Sequence, residues 1–482
     1  MKNLTPLKIL CIAIASFFVS CSDKTEDIPA DVKINDFVWG GMNAYYLWQE
    51  NVSDLADNRF SNREQLNSYL AGFDSPDNLF NQLLDYPSEY PKDPNRVFSW
   101  IVDDYIALEE SFQGIRTTTG LKIVVANYND GSQNVYAYVR DVAIGSSADA
   151  NGVTRGMIIS EVDGIQLTLA NFRDLLTAES FTIGLADYNG GNPTANGTTI
   201  NVTSSVVEEN PVKIANVPYN DGVNKIGYLL FNQFSTSYDD ELNTAFAYFK
   251  SEAITDLVID LRYNGGGSVR TATYLGSMIT GQFNEEVFSQ QEWNSKVMNN
   301  SGGYDFKNYF TNEIDNGQVN EAINSLELSR IYFIVTDNSA SASELVINAL
   351  KAYIDVSLVG TQTYGKHVGS ITLYDSDNYT KNGPNFDSSH TWAMQPIVLE
   401  IQNKNGENAP EGFIPDVEIV EDPSNLGVLG EADEPLLERT IQLIVNGTRI
   451  SQSTSEKPNV RKVWNTNMSY PDNNNMYVEL QR

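Results

Sequence analysis

The chain has 482 residues, which is longer than one ordinary domain, so we expect two or three domains, each with its own hydrophobic core. It carries 63 acidic and 31 basic residues, a formal net charge of −32. Phosphate contacts need clusters of Lys and Arg, so this charge argues against a nucleic acid as a partner.

Residues 1–20 have the composition of a secretory signal, because a short basic start is followed by the apolar run ILCIAIASFFVS, too brief to span a bilayer. The run ends at Val19-Ser20-Cys21, which resembles the lipobox of bacterial lipoproteins and makes Cys21 the expected lipidation site. The alternative is an ordinary cleaved signal with an incidental cysteine. Since Cys11 and Cys21 are the two cysteines of the sequence, no disulfide is expected in the exported protein.

The polar, acidic residues 21–33 are typical of a flexible tether. The lipid anchor would then be the protein's attachment to the membrane, and the expected location is the outer membrane, on its periplasmic or its outer face. Residues 34–114 follow as a predicted helical domain, since apolar residues in NDFVWGGMNAYYLWQENV recur at about helical spacing. We expect these aromatic side chains to form a packed core rather than a ligand site.

Residues 115–207 change to short strand-like runs separated by Gly, Asn and Asp turns. The stretch GSSADANGVTRGMIISEVDGIQLT and the preceding TGLKIVV resemble a PDZ domain. The resemblance implies that the backbone at Gly120 and Leu121 receives a peptide, which adds as a strand at the sheet edge. Met157 stands where many relatives carry aspartate, and GLADYNGGNPTANGTT is expected to form an extended hairpin.

Residues 208–445 alternate strand-like and helix-like segments, which predicts a largely parallel sheet with helices on its faces. Three strand-like runs lead into chemically notable loops: YNGGGS at 263–268, SASASE at 339–344 and TYGKH at 363–367. If these strands are neighbours, the three loops meet at the carboxyl edge of one sheet. Residues 446–482 are polar and Asn-rich, and we expect a mobile tail.

Each of these loops has a structural and a chemical interpretation. Consecutive glycines can aim backbone N–H groups at an oxyanion, or can simply form a tight turn. Ser341 and Glu344 fit the capping box of a helix, yet a helix N-terminus also favours a nucleophile. A serine nucleophile needs a base, and the candidates are Lys366, which burial would have to make neutral, or one of the two histidines, His367 and His390.

Together, DLRYNGGGS, SASASE and TYGKHVGS resemble the C-terminal processing (tail-specific) peptidases, a serine peptidase family with a Ser/Lys dyad and an embedded PDZ domain. The resemblance implies a multi-domain α+β protein whose peptidase core is α/β, crotonase-like or ClpP-like. It also implies Ser341 as nucleophile and Lys366 as base. The oxyanion donors would be the N–H groups of Gly266 or Gly267 and of Ala342. No cofactor or metal is implied, and the expected partner is a peptide or unfolded protein.

One departure concerns the lysine. Many relatives have a glutamine four residues after the lysine that orients it, and here that position is Ser370. A catalytically weak or inactive surface lipoprotein that binds peptides or glycan fragments is therefore the alternative to an endopeptidase. The Asp-rich residues 375–387 lack the EF-hand pattern, so a solvated loop is favoured there over a calcium site.

Overall fold

The computed structural model describes residues 28–85, 98–188, 190–447, 460–469 and 471–479. The predicted signal sequence, the lipidation site Cys21 and most of the tether lie outside these residues. Within the described ranges, no helix combines the length and the apolar character needed to cross a bilayer.

The first module is mainly helical, with capped starts: Asn62, Ser75 and Asp104 each accept a hydrogen bond from a backbone N–H in the first turn of the helix that follows. Its elements are α1 (Lys33–Tyr45), α2 (Arg63–Leu70), α3 (Pro76–Gln82), β1 (Trp100–Val102) and α4 (Tyr105–Phe112). The buried side chains of α1, among them Phe37 and Met42, belong to the same apolar cluster as Met394 far along the chain. The expectation of a separate core for this region is therefore wrong, because its helices are too few to cover their own apolar faces.

The second module is an antiparallel sheet with two short helices and an apolar cluster of its own. Its elements are β2 (Ile115–Thr118), β3 (Leu121–Asn127), β4 (Val135–Val142), α5 (Ser147–Ala150), β5 (Ile158–Val162), β6 (Ile165–Gln166), α6 (Phe172–Leu176), β7 (Ser180–Asp187), β8 (Thr194–Thr203) and β9 (Ser205–Glu208). The strand β2 pairs with β9, so the chain enters and leaves the module through one ribbon. The predicted hairpin is formed by β7 and β8.

The third module contains the predicted βα alternation. Its elements are β10 (Val212–Asn220), β11 (Lys225–Phe231), α7 (Asp239–Glu252), β12 (Asp256–Asp260), β13 (Gly267–Ser268), α8 (Val269–Thr280), β14 (Val287–Trp293), α9 (Ser295–Asn299), β15 (Lys307–Tyr309), β16 (Glu313–Asp315), β17 (Asn320–Ala322), β18 (Arg330–Val335), α10 (Ala342–Lys351), β19 (Asp355–Gly360), β20 (Val368–Ser370), β21 (Leu373–Tyr374), β22 (Ala393–Gln395), β23 (Ile397–Gln402), β24 (Val417–Glu418) and α11 (Pro435–Asn446). One sheet runs in the order β10, β11, β12, β18, β19, β24, parallel except for the edge strand β10.

This parallel sheet is buried on both faces, which explains why its strands read as continuous apolar runs. In β18, Phe333 faces a cluster that includes the helices α8 and α10, whereas its neighbour Ile334 faces the cluster around α11. Because successive side chains of a strand point to opposite faces of the sheet, β18 contributes to two cores. The result is a multi-domain protein of mixed helix and sheet.

The last described part of the chain, residues 460–469 and 471–479, is called here the C-terminal segment. It contains β25 (Lys462–Asn465), which pairs with β3 of the second module, and β26 (Met476–Tyr477), which lies between β13 and β20 of the third. The prediction of a mobile tail is wrong for these residues. Backbone hydrogen bonds hold them in place together with the buried side chains of Trp464 and Met476.

Candidate active site

The three loops singled out in the sequence leave one edge of the parallel sheet. The strands β12, β18 and β19 are direct neighbours, and each ends where its loop begins. The side chains of Ser339 and Ser343 fasten the serine loop to the glycine loop, since their hydroxyls donate to the carbonyls of Leu261 (2.7 Å) and Asn264 (2.9 Å).

Ser341 differs from the two serines beside it. Its side chain is buried, and among the described residues its hydroxyl has no hydrogen-bond partner. Its backbone has φ 63° and ψ −114°, a conformation that non-glycine residues rarely adopt and that persists only where surrounding contacts impose it. Ser341 precedes the first residue of α10, so the positive end of the helix dipole faces it. The arrangement presents a single unengaged hydroxyl at a sharp turn.

Glu344 connects the serine loop with the lysine loop. Its buried carboxylate accepts hydrogen bonds from the backbone N–H groups of Ser341 (3.0 Å), Gly365 (2.7 Å) and Lys366 (2.8 Å), and from the hydroxyl of Thr363 (2.6 Å). Burial raises the pKa of Glu344, and these hydrogen bonds oppose that rise. The half of the capping box that Glu344 supplies is therefore present, and it also fixes the distance between two loops that are far apart in sequence.

Lys366 is 1% exposed and lies in a largely apolar environment. Its Nζ is 5.1 Å from the ring centre of Phe98 and 5.8 Å from that of Trp100, both in the first module. Burial lowers the pKa of Lys366 from 10.5 to about 7, although the Glu344 carboxylate opposes the shift. A substantial fraction of neutral amine is thus present near neutral pH, as a general base requires.

The two histidines have other surroundings. His367 lies 3.6 Å from Glu400, and burial lowers its pKa to about 4. His390 is hydrogen-bonded to Asp375 at 3.1 Å. Because the Ser341 hydroxyl has no hydrogen-bond partner among the described residues, it is hydrogen-bonded neither to a histidine nor to Lys366.

In the glycine loop, the N–H groups of Gly266 and Gly267 point in different directions. The N–H of Gly266 donates to the side-chain oxygen of Asn264 at 2.9 Å, so it is directed into the protein and does not fit the predicted role. The N–H of Gly267 donates to a carbonyl oxygen of the C-terminal segment, that of Asn475, at 2.6 Å. A β-carbon built on Gly266 would lie 2.4 Å from that oxygen, 2.8 Å from Ser341 Cβ and 3.0 Å from the Ala342 nitrogen. The Asn475 carbonyl, Ser341 and the Ala342 nitrogen therefore surround one small space beside Gly266, and a side chain at position 266 would not fit there.

Comparison with known proteins identifies a family for the chain. Residues 225–419 match the model of peptidase family S41, and residues 33–100 match the peptidase S41 N-terminal domain, so family models cover more than half of the chain. The chain belongs to peptidase family S41.

The relatives of this S41 chain are distant in sequence. It is 24% identical to the chloroplastic C-terminal processing peptidase of Tetradesmus obliquus, over 70% of this chain and 65% of that protein. A CtpA-like serine protease of Staphylococcus epidermidis is 23% identical, over 36% of this chain and 31% of that protein. The chain thus spans less than two thirds of the curated relatives' length. The fold resembles that of an S41 protein from Bacteroides fragilis, with a TM-score of 0.63 and 20% identity over 89% of this chain and all of the other.

The hydroxyl of Ser370 is directed to the C-terminal segment and not to Lys366, although Ser370 stands where many relatives carry a lysine-orienting glutamine. Its hydroxyl donates to the side-chain oxygen of Asn475 at 3.0 Å and to the carbonyl of Met476 at 3.2 Å. Lys366 instead donates from Nζ to the carbonyl of Asn474 at 2.7 Å. The lysine is therefore oriented by burial and by the C-terminal segment, and Ser370 contacts that segment rather than the lysine.

Gly120 and Leu121 lie at the start of β3, where the sequence places the peptide-binding loop. Their N–H groups face the hydroxyls of Thr118 (3.0 Å) and Thr119 (3.5 Å) on the same loop. Gly120 has φ 87°, and a β-carbon there would lie 1.8 Å from the Ser146 hydroxyl, so the loop requires glycine. The two residues line a cavity that extends from the second module to Asn473 beside the glycine loop.

Sequence reasoning missed Phe98 and Trp100, which enclose Lys366, and Asn264, which orients Gly266. Asn264 had a local signal, since it directly precedes the glycines. The two aromatic residues had none, because they lie more than 260 positions before the lysine. In the Asp-rich loop, Asp375, Asp387 and His390 lie close enough to share an ion, but acidic groups of this exposure commonly bind none.

Proposed function

We propose that the protein is an exported serine endopeptidase of the C-terminal processing type. The observation that carries this proposal is the buried Glu344, which holds the backbone of Ser341 and the backbone of Lys366 on one carboxylate, with the pKa of Lys366 near 7. Membership of the family supports it, as does the similarity to the chloroplastic C-terminal processing peptidase.

In the proposed reaction, the Ser341 hydroxyl attacks the scissile carbonyl carbon while its proton passes to the neutral amine of Lys366. The N–H groups of Gly267 and Ala342 hold the resulting oxyanion. Lys366 then gives the proton to the leaving amine, which leaves an ester on Ser341. A water molecule deprotonated by Lys366 hydrolyses that ester, releases the acid product and restores the serine.

Other parts of the chain bring substrate and enzyme together. Residues 115–207 act as a PDZ-like module that captures an extended peptide, and residues 208–445 form the peptidase core of crotonase-like or ClpP-like type. The signal of residues 1–20 is removed, Cys21 carries a lipid, and residues 21–33 tether the enzyme to the outer membrane. Exported polypeptides at that membrane are its substrates.

The test is proteolysis of an unstructured, dye-labelled casein together with labelling by a fluorophosphonate that reacts with activated serines. Ser341→Ala and Lys366→Ala should each abolish cleavage, and Ser341→Ala should abolish labelling. Ser251→Ala is the matched control, because it removes an exposed serine hydroxyl of α7 and leaves the three loops of the site intact.

Two results would contradict the proposal. Loss of activity in His367→Ala or His390→Ala, with Lys366→Ala still active, would replace the lysine by a histidine. Peptide binding with no labelling of Ser341 would favour the alternative of a binding lipoprotein.

A further inference from the structure

The C-terminal segment enters the second module as an added strand. Its β25 runs antiparallel to β3, with Trp464 opposite Val125 and Asn465 opposite Val124. The hydroxyl of Thr466 accepts from the N–H of Ile123 at 2.7 Å and donates to the carbonyl of the same residue at 3.0 Å. This is the geometry of a peptide that extends a sheet at its edge.

Trp464 anchors that strand. Its indole is 8% exposed and belongs to the apolar cluster of the second module, with its ring centre 5.9 Å from that of Phe172 on α6. The side chain therefore fills the space between β3 and α6. A large aromatic group buried at the centre of a contact surface is typical of an energetic anchor.

The segment then reaches the groove beside the catalytic residues. Its β26 lies between β13 and β20 and is parallel to both. The N–H of Val478 donates to the carbonyl of Ser370 at 3.0 Å, and the ring of Tyr477 stacks on Phe112 at 4.4 Å. Met476 is fully buried.

At the catalytic residues, the backbone of the segment takes the places of a substrate. The carbonyl of Asn475 accepts from Gly267, the proposed oxyanion donor, and the carbonyl of Asn474 accepts from Lys366. The amine of Lys366 is thus hydrogen-bonded to the segment, while the hydroxyl of Ser341 has no partner among the described residues. While the segment occupies these donors, the carbonyl of a substrate cannot reach the N–H of Gly267.

We propose that the C-terminal segment is an intramolecular peptide ligand of both grooves and keeps the enzyme latent until an incoming polypeptide displaces it. This inference rests on the proposed function, since the groove that the segment fills is the proposed catalytic one. It also defines how a substrate lies: an extended chain parallel to β13 and β20, with one carbonyl on the N–H of Gly267.

The experiment compares the mature protein with two variants that weaken the segment at different grooves, Trp464→Ala and Met476→Asp. The matched control is Lys462→Ala, since Lys462 is exposed on the same strand β25. Release of the segment should raise both fluorophosphonate labelling and casein cleavage by about tenfold in the two variants, with no change in the control. Intact mass should show that the wild type keeps residues 476–482.

Amide hydrogen exchange, in a Ser341→Ala background, reports on the segment independently of activity. Residues 476–478 should be protected, and each of the two variants should lose that protection. Loss of protection with cleavage at the wild-type rate would overturn the latent state, as would Ser341-dependent removal of residues 476–482, which would make the segment a substrate. Loss of protection with neither labelling nor cleavage in any variant would overturn the proposed function itself.

Discussion

At the scale of single residues, the site depends on how Lys366 is kept out of water. Phe98 and Trp100 come from the first module, and the carbonyl of Asn474 comes from the C-terminal segment. A lysine on a solvated loop would keep its charge at neutral pH, and it is this burial that lowers the pKa of Lys366 to about 7.

The pH dependence of turnover follows from that burial. With a pKa of about 7, Lys366 is protonated below pH 7 and cannot accept the serine's proton. We expect kcat/KM to fall about tenfold for each pH unit below the midpoint and to level off above it. Rates measured from pH 5 to 9 check this. A rate that stays constant over this range would instead indicate His367, whose pKa is lowered to about 4.

Glu344→Gln should have two separable effects. In this variant, the NH2 group of the glutamine would face the backbone N–H groups that now donate to the carboxylate. The lost hydrogen bonds should lower the free energy of unfolding, measured by urea titration, by about 1–3 kcal/mol. Since the charge of Glu344 raises the pKa of Lys366, its removal should also shift the midpoint of the pH profile below 7. Glu344→Asp, which keeps the charge, should retain the midpoint. A stability loss without any shift would reduce Glu344 to a structural role.

At the scale of elements, the glycine loop is held from behind by a buried ion pair. Arg262, two residues before the loop's Asn264, donates to both carboxylate oxygens of Glu434 at 2.6 and 2.9 Å. Glu434 also accepts from the N–H of Leu437 and so caps α11. The start of α11 and the end of β12 are therefore fixed to each other.

Removing the charge of Glu434 should destabilise the protein. In Glu434→Gln the buried Arg262 guanidinium keeps Asp260 at 2.6 Å, so we expect the loss that follows from weakened hydrogen bonds to a charged group, about 1–3 kcal/mol in the free energy of unfolding. Glu438→Gln, at an exposed position of the same helix, is the control and should change stability by less than about 0.5 kcal/mol. Denaturant titration of both variants measures the difference. Equal stabilities would mean that Asp260 and Glu421 are sufficient partners for Arg262.

The elements that could be predicted from the sequence are those with a regular pattern of apolar side chains. The parallel strands β12, β18 and β19 are buried on both faces, so their apolar runs placed the three loops at one edge. The C-terminal segment carries only a weak signal of this kind, because its buried Trp464 and Met476 lie among Asn residues that resemble a linker. Which of Gly266 and Gly267 can act as an oxyanion donor depends on backbone orientation, which a run of identical residues does not encode.

At the scale of the whole molecule, the second and third modules are joined by buried charges. Arg155 of the second module contacts Glu421 at 2.7 Å, and Glu421 also accepts from the hydroxyl of Tyr263 at 2.6 Å beside the glycine loop. Burial alone would raise the pKa of Glu421, but Arg155 and Arg262 outweigh it and hold that pKa well below its ordinary range.

The sign of this pKa shift predicts a loss of stability in acid. A carboxylate whose pKa is lowered by folding stabilises the folded state above pH 4.5, and this contribution is lost as the pH falls toward the folded pKa. Wild type should therefore lose stability below pH 4.5, and Glu421→Gln should be less stable than wild type at pH 7 but should lose less on acidification. Thermal unfolding at several pH values checks this. The exposed Glu431→Gln, as control, should match wild type throughout.

The contact made by Glu479 has a practical consequence for recombinant work. Glu479 accepts a hydrogen bond from the hydroxyl of Ser268 at 2.6 Å at the start of α8. A shortened protein that stops at residue 475 would lose this contact together with β26, and would leave the groove between β13 and β20 empty. Preparations with and without residues 476–479 should therefore differ in specific activity, although Ser341 and Lys366 are present in both.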